Sequence, residues 1–274
     1  MRGRGITAFR SATLALGFGF LYLPIAVLVA YSFNGSRLVT IWGGFSTRWY
    51  SALLDDDKFL SAALTSLEIG VMAASAALVL GTCAGLAMNR FARFRGRLLF
   101  SFMLMTPLVV PEIILGLSLL LLFVALQDWV GWPHGRGLAT VTIAHATFTA
   151  CFVAVLVRAQ LAGFDRSLEE AALDLGARPF GVLWRITLPG ISPALVAGWL
   201  LAFTMSLDDL VVASFVSGPS ATTLPMAVYS SVRIGVTPEI NALATLFLVL
   251  VVALVALSAS LMARQEKRRT TTLS

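Results

Sequence analysis

Long apolar stretches separated by short polar segments run along the whole chain. A helix needs about 20 apolar residues to cross a bilayer, because each residue rises about 1.5 Å and the hydrocarbon core is about 30 Å thick. Five stretches reach that length without an acid, lysine or arginine: 11–36, 69–89, 137–157, 186–207 and 240–263. A sixth, Leu98–Gln127, contains only Glu112. The pattern predicts an all-α integral membrane protein with six transmembrane helices.

The basic residues are divided unevenly between the two sides that six spans create. Fifteen of the twenty lysines and arginines lie in the N-terminal segment, the second-to-third loop, the fourth-to-fifth loop and the C-terminal tail. Cytoplasmic segments carry such an excess, so both termini are predicted to be cytoplasmic. The net charge of +6 is then a topology signal, not a sign of nucleic-acid binding. The first apolar run lacks a small-residue cleavage site, which favours a retained signal-anchor.

Composition agrees with a membrane protein and indicates one domain. Hydrophobic residues make up 58% of the chain and charged residues 12%, against about 25% charged in soluble domains. With no linker or repeat, residues 1–274 are predicted to form a single transmembrane domain. It comprises the first span and outer loop (1–61), a five-span core (62–263) and a basic cytoplasmic tail (264–274). In the outer loop Trp49 is typical of an interfacial anchor, with a part in a substrate gate as the alternative.

A patterned segment occupies the predicted cytoplasmic loop between spans four and five. Ser167 and Glu170 have the S-x-x-E spacing of a capping box, which would begin a helix. Gly176 is expected to end that helix, and Pro179 to open a second one that ends at Leu188-Pro189. The first helix is amphipathic and could lie on the membrane surface. Its small residues favour docking to a partner protein instead, because they let another backbone approach closely.

A resemblance to a known family is carried by Glu170-Ala171-Ala172-x3-Gly176-x9-Ile186-x-Leu188-Pro189. The segment resembles the cytoplasmic signature of permease subunits in binding-protein-dependent ABC importers. The resemblance implies a coupling helix that docks on an ATPase, with Glu170, Ala171, Ala172 and Gly176 at the contact. It also implies a place in the bacterial cytoplasmic (inner) membrane. The implied partners are a second permease subunit, two ATPase subunits and an extracytoplasmic binding protein.

The lysines argue against ATP binding by this chain itself. Only Lys58 and Lys267 are present, and neither follows the glycine-rich run of a phosphate-binding loop. We therefore expect a non-catalytic subunit without a cofactor or metal of its own, and ATP and Mg²⁺ on the partner ATPase.

Acids within the predicted spans are rare, and such residues usually face a cavity or a partner. On straight helices, Glu112 lies about 21 Å above Leu98 and Asp208 about 22 Å above Pro193. Two helices would thus place carboxylates at one depth, which favours a shared cation site. The alternative is that each acid only pairs with a partner inside the bundle. His145 is expected to bond to a neighbour in the bundle rather than to relay protons.

Four segments narrow the resemblance to the spermidine/putrescine branch of the family. They are PEII-x-G-x-SL from 111, SLDDL from 206, SGP-x4-LP from 217 and PEINALAT from 238. Within the branch, they most resemble the smaller putrescine permease subunit. The likeness implies a polyamine pathway through Glu112, Ser206, Asp208 and Asp209, and less securely Trp49.

Other functions are left open by the residues alone. The chain could be an ABC permease for another solute, such as a metal chelate or an amino acid, although neutral or anionic solutes give no reason for intramembrane acids. A stand-alone channel or secondary transporter is a further alternative, for which inverted repeats would be expected. A membrane enzyme would need a nucleophile–base pair or metal cluster, and the sequence offers neither.

Overall fold

The computed structural model of the protein describes residues 2–38, 41–91, 93–234 and 238–271. These residues are helical almost throughout, and among them the only strand-like pairing is an isolated bridge between Asn34 and Phe45. The helices are α1 (Arg2–Ser32), α2 (Arg48–Leu54), α3 (Asp57–Arg90), α4 (Arg97–Val109), α5 (Glu112–Val130), α6 (Leu138–Ala162), α7 (Ser167–Asp174), α8 (Pro179–Val182), α9 (Leu188–Gly190), α10 (Ser192–Asp208), α11 (Val211–Val216), α12 (Leu224–Ile234) and α13 (Pro238–Thr271).

Four of the described helices are long and apolar enough to cross a membrane: Phe9–Ser32 of α1, and α3, α5 and α6. The bent pair Pro179–Gly190 and Ser192–Asp208 adds a fifth if it is counted as one span. The all-α membrane fold is thus confirmed, whereas six spans and cytoplasmic termini stay predictions. Apart from Arg10, the basic side chains of the terminal segments, on which the orientation partly depends, lie outside the described residues.

The predicted third span, Leu98–Gln127, is two helices rather than one. Val110 and Pro111, between α4 and α5, are extended, with ψ angles of 133° and 138°. Proline cannot donate a backbone hydrogen bond, and it disfavours helical geometry in the residue before it. The break makes Glu112 the first residue of a new helix, so the height counted along a straight helix from Leu98 does not apply.

The predicted fifth span, Ile186–Leu207, is also interrupted. The chain is helical from Pro179 to Gly190, with a π-helical turn at Leu183–Thr187, and this segment meets α10 at 71°. The end expected at Leu188-Pro189 therefore falls at Ile191. The proline lies in the first turn of α9, where its missing N–H group is tolerated.

The Cα positions group the chain into two compact units, and a single domain stays a prediction. One unit is Ser61–Ala227 with Ala253–Ser274, and the other is Met1–Leu60 with Val228–Val252. In the first unit α6 is the central helix, with 72% of its apolar window buried against 11% for α5. The buried core of this unit comprises Ile69, Phe123, Val141, Ala144, Phe148, Val212, Ala213, Val216 and Ala221.

Glycines in α3 allow it to lie directly against α6. A Cβ atom added at Gly81 would come within 2.6 Å of the Ala150 carbonyl oxygen, and one at Gly85 within 2.8 Å of Val157 Cγ1. Small residues permit this close approach, which is a common basis for helix packing in membranes. α6 thus packs directly against α3, and α10 and α11 also contact it.

In the second unit, the loop after α1 is organised by Asn34. Its Oδ1 accepts hydrogen bonds from the backbone N–H groups of Ser36 and Gly43, at 3.1 and 2.7 Å. The Asn34 carbonyl accepts a bond of 2.6 Å from the indole N–H of Trp49, which is only 6% exposed. Trp49 therefore stabilises this loop, and its role in a substrate pathway stays a prediction.

Candidate functional site

Two acids lie beside breaks in packed helices. Glu112 is the first residue of α5, and Asp208 is the last residue of α10. The residue after Asp208 is extended, with ψ 122°, and α11 begins two residues later. α5 packs closely on α11, since a Cβ atom at Gly116 would come within 2.8 Å of Phe215 Cδ2. Packing of α5 on α11 thus brings the two breaks together.

The carboxylates of Glu112 and Asp208 lie within electrostatic range of each other. Both side chains are exposed in the isolated chain, and within the described ranges neither has a basic partner at salt-bridge distance. Asp208 also lies at the C-terminal end of α10, where the helix dipole favours positive charge. The arrangement can attract a cation, and a transport role for the two acids stays a prediction.

Asp209, the next residue, has a different environment. Its buried carboxylate accepts hydrogen bonds from the N–H groups of Val212 and Ala213, at 3.3 and 2.7 Å. His145 is fully buried, with Nε2 at 3.1 Å from Asp209 Oδ2 and Nδ1 at 2.7 Å from Ser206 Oγ. These contacts join α6 to both sides of the break between α10 and α11.

The His145 cluster (His145, Ser206 and Asp209) satisfies its own buried polar groups. A neutral imidazole donates from Nε2 to the Asp209 carboxylate and accepts at Nδ1 from the Ser206 hydroxyl, so both ring nitrogens have partners. The expected bundle-internal bonding of His145 is confirmed. Ser206 and Asp209, for which the resemblance implied a place in the pathway, are bonded to His145 beside the helix break, and a transport role for them stays a prediction. Of the four residues implied for the pathway within the membrane, Glu112 and Asp208 have exposed side chains.

The predicted coupling helix, α7, ends as expected and begins differently. Gly176 has a φ of +85°, and the N–H of Ala177 donates to the Ala172 carbonyl at 3.0 Å, as in a Schellman motif. The predicted capping box is wrong, because Ser167 is already helical and its side chain caps nothing. The carboxylate of Asp165 accepts from the Ser167 N–H at 3.0 Å instead, and a charged acceptor is favoured there.

The residues predicted for coupling lie on an open surface. Glu170, Ala171 and Gly176 are exposed, and Ala172 is half-buried. The same loop exposes large apolar side chains: Leu175 (89%), Phe180 (72%) and Trp184 (58%). Exposed apolar side chains beside small ones are typical of a protein-docking surface.

Glu169 is a site residue that sequence reasoning missed. Its Oε1 forms a salt bridge with Arg90 at the end of α3 and accepts a hydrogen bond from Thr187 in the π-helical turn. Arg166 adds bonds of 3.2 Å to the carbonyl and side chain of Asn89. These contacts attach α7 to α3 and to the segment leading into α10. Because the salt-bridge partners lie 79 residues apart, no local pattern could have distinguished Glu169 from its neighbour Glu170.

Comparison with known proteins identifies close relatives. The chain is 59% identical to the putrescine transport system permease protein PotI of Escherichia coli strain K12 over 261 residues, covering 95% of this chain and 93% of the relative. It is 44% identical to the spermidine/putrescine transport system permease protein PotC of the same strain over 254 residues, covering 93% of each.

Solved structures have the same fold at low sequence identity. A bacterial ABC transporter involved in the import of the acidic polysaccharide alginate aligns over 95% of this chain and 97% of its own, with a TM-score of 0.72 and 17% identity. The MetNI methionine ABC transporter, in inward-facing conformations, aligns over 75% and 95%, with a TM-score of 0.62 and 19% identity.

The sequence also matches a known protein family. Residues 77–271 match the family described as binding-protein-dependent transport system inner membrane component. The matched region contains both acids, the His145 cluster and the coupling loop. The chain therefore belongs to this family: it is a multi-pass, non-catalytic permease subunit of an ABC importer in the inner membrane.

Proposed function

We propose that this chain carries polyamines, with putrescine as the principal substrate and spermidine as a related one. The observation that carries the proposal is the pair of exposed carboxylates, Glu112 and Asp208, beside helix breaks in a largely apolar fold. The names of the relatives, which are putrescine and spermidine/putrescine permeases, support the same substrate class. Family membership favours an importer subunit over the stand-alone channel or secondary transporter that the residues alone left open.

Electrostatics gives the two acids a reason to be in the pathway. A diamine carries one positive charge at each end of a methylene chain, and moving those charges through a region of low dielectric constant is costly unless anions compensate them. Glu112 and Asp208 can each offset one ammonium group. Because both carboxylates are exposed, they would bind a passing cation weakly enough for it to leave again.

We also propose the assembly in which the chain works. It forms half of the channel beside a second, different permease subunit, and two ATPase subunits dock at the coupling loops. An extracytoplasmic polyamine-binding protein delivers the substrate. The exposed small and apolar side chains of α7 and the segment after it support the ATPase contact. ATP and Mg²⁺ bind to the ATPase, since the lysines of this chain are not placed in a phosphate-binding loop.

The function is tested by transport in reconstituted vesicles. We expect radiolabelled putrescine to accumulate only when the sister permease, the ATPase, ATP and the binding protein are all present, and unlabelled spermidine to compete. Methionine serves as the control solute and should not compete. An assembled complex whose ATPase is stimulated by another solute, and which takes up no diamine, would exclude the polyamine assignment.

The six spans are proposed on the apolar stretches and the cytoplasmic termini on the distribution of basic residues, and cysteine labelling tests both. The two native cysteines, the exposed Cys83 and the buried Cys151, are first replaced by alanine so that only the introduced cysteine can react. An impermeant maleimide should label Arg136→Cys in intact cells, and Arg178→Cys only after permeabilisation. The reverse pattern would overturn the orientation. Accessibility of Arg268→Cys, in the tail, decides the side of the C-terminus separately.

A further inference from the structure

A basic cavity of about 720 Å³ lies between the ends of α3, α4 and α6, away from both acids of the pathway. Four arginines line it, together with apolar and polar side chains. Arg93 and Arg95 come from the loop between α3 and α4, Arg97 from the first turn of α4, and Arg158 from near the end of α6. The cavity therefore concentrates positive charge from two separate parts of the chain, the segment 93–97 and α6.

Three of the four arginines have no acidic partner within the described ranges. Arg93, Arg95 and Arg158 have no carboxylate at salt-bridge distance there, while the nearby Arg90 is paired with Glu169. Like charges that share a cavity repel one another, so an anion in the cavity would stabilise it. The excess of positive charge on cytoplasmic segments accounts for the number of arginines, but not for their convergence from α6 and from α4 on one cavity.

Apolar side chains border the cavity. The adjoining crevice between α3, α4 and α6, which shares Met88, Ser101 and Arg158 with it, is closely packed, with a volume of only about 10 Å³. Beside the cavity mouth, α4 exposes large apolar side chains on its outer surface: Leu98, Leu99, Phe102 and Met103. A ligand that fits both parts has an anionic head and apolar chains.

We propose that this cavity binds the phosphate group of an anionic phospholipid from the membrane leaflet on that side. Guanidinium groups bind phosphate oxygens through paired N–H donors, and basic pockets between transmembrane helices suit anionic headgroups. The acyl chains lie along the exposed apolar surface of α4. Net negative charge is required of the lipid, since a zwitterionic headgroup would leave the arginines uncompensated.

Lipid retention, measured by native mass spectrometry, tests the site. The assembled complex is reconstituted in nanodiscs of equal phosphatidylglycerol and phosphatidylcholine, then released into detergent. We expect the unmutated complex to retain phosphatidylglycerol selectively. Each arginine near an anionic surface contributes about a fivefold preference, so the double variant Arg95→Gln, Arg158→Gln should retain about 25-fold less. The matched control is Arg37→Gln, an exposed arginine of the loop after α1, which should retain it in full.

The competing sources of the anion are separated in the same experiment. Equal lipid retention by the double variant and the unmutated complex would overturn the site. Loss of the ATPase from the double variant, with lipid retention unchanged, would also overturn it and would indicate an acidic protein partner. Displacement of the lipid by millimolar inorganic phosphate would assign the cavity to a free anion instead. Arg95→Lys with Arg158→Lys keeps the charge and should restore most of the retention, which distinguishes lipid binding from a loss of folding.

Discussion

Asp208→Asn and Asp209→Asn should impair different properties, transport and assembly respectively, although the two residues are adjacent in the sequence. Asp208 is exposed at the end of α10, so its replacement should leave assembly intact and lower putrescine uptake per complex. The attraction between unit charges is about 4 kcal/mol at 4 Å and an effective dielectric constant of 20. With water and a second acid still present, we expect about a tenfold loss, which corresponds to about 1.4 kcal/mol.

Asp209→Asn should instead lower the amount of folded complex. The Asp209 carboxylate accepts hydrogen bonds from Val212, Ala213 and the buried His145, and an amide group has only one oxygen to accept with. Leaving a buried donor without its partner costs about 1–3 kcal/mol. The yield of assembled complex should therefore fall several-fold, while uptake normalised to that complex changes little.

Glu112→Gln completes the test of the paired acids. It should resemble Asp208→Asn, and the double variant should transport less than either single one, although groups in one site are not additive. The control is Glu68→Gln, which removes an exposed acid of α3 and should be neutral. Uptake of radiolabelled putrescine is measured in vesicles and divided by assembled complex. Full transport by both single variants, or identical behaviour of Asp208→Asn and Asp209→Asn, would refute this division of roles.

The sequence predicts the helices of the fold well because lipid imposes a single requirement. A backbone in hydrocarbon must satisfy its own hydrogen bonds, so every long apolar run without charge has to be helical. The breaks are harder to predict. Pro111 indicated an opened helix, but a proline can also merely kink one. The 71° bend at Ile191 lies between Pro189-Gly190 and Pro193, which are typical of a break but do not fix its angle. Only packing against α6 and α11 decides between these outcomes.

The residues of the candidate sites likewise divide into those with a local sequence pattern and those that depend on long-range contacts. The helix end at Gly176 was predicted correctly from sequence, because a helix end with a left-handed residue is a local feature. The engagement of Asp209 by His145, and of Glu169 by Arg90, joins residues more than sixty positions apart, which local patterns cannot reveal. Sequence reasoning therefore singled out the acidic segment and could not separate Asp208, which is exposed, from Asp209, which is buried and bonded to His145.

A large side chain at Ala171 should abolish coupling to the ATPase. Ala171 is exposed on α7, so Ala171→Trp disturbs no contact within the described chain and adds bulk to the proposed contact surface. This position tests docking better than Gly176, whose φ of +85° would strain any other residue and so confuse docking with helix stability. Overpacking of a close contact costs about 1–3 kcal/mol, and we expect at least about a fivefold loss of co-purified ATPase and of uptake.

Matched variants separate size from chemistry and position. Ala171→Ser keeps the residue small and should couple normally, whereas Ala162→Trp places the same bulk at the exposed end of α6 and should also be tolerated. The quantities to measure are ATPase co-purification, uptake, and the amount of inserted permease, which Ala171→Trp should leave unchanged because nothing inside the chain is displaced. If the Ala171→Trp complex retains its ATPase and transports at the unmutated rate, α7 is not part of the ATPase interface, and its exposed apolar residues must contact something else.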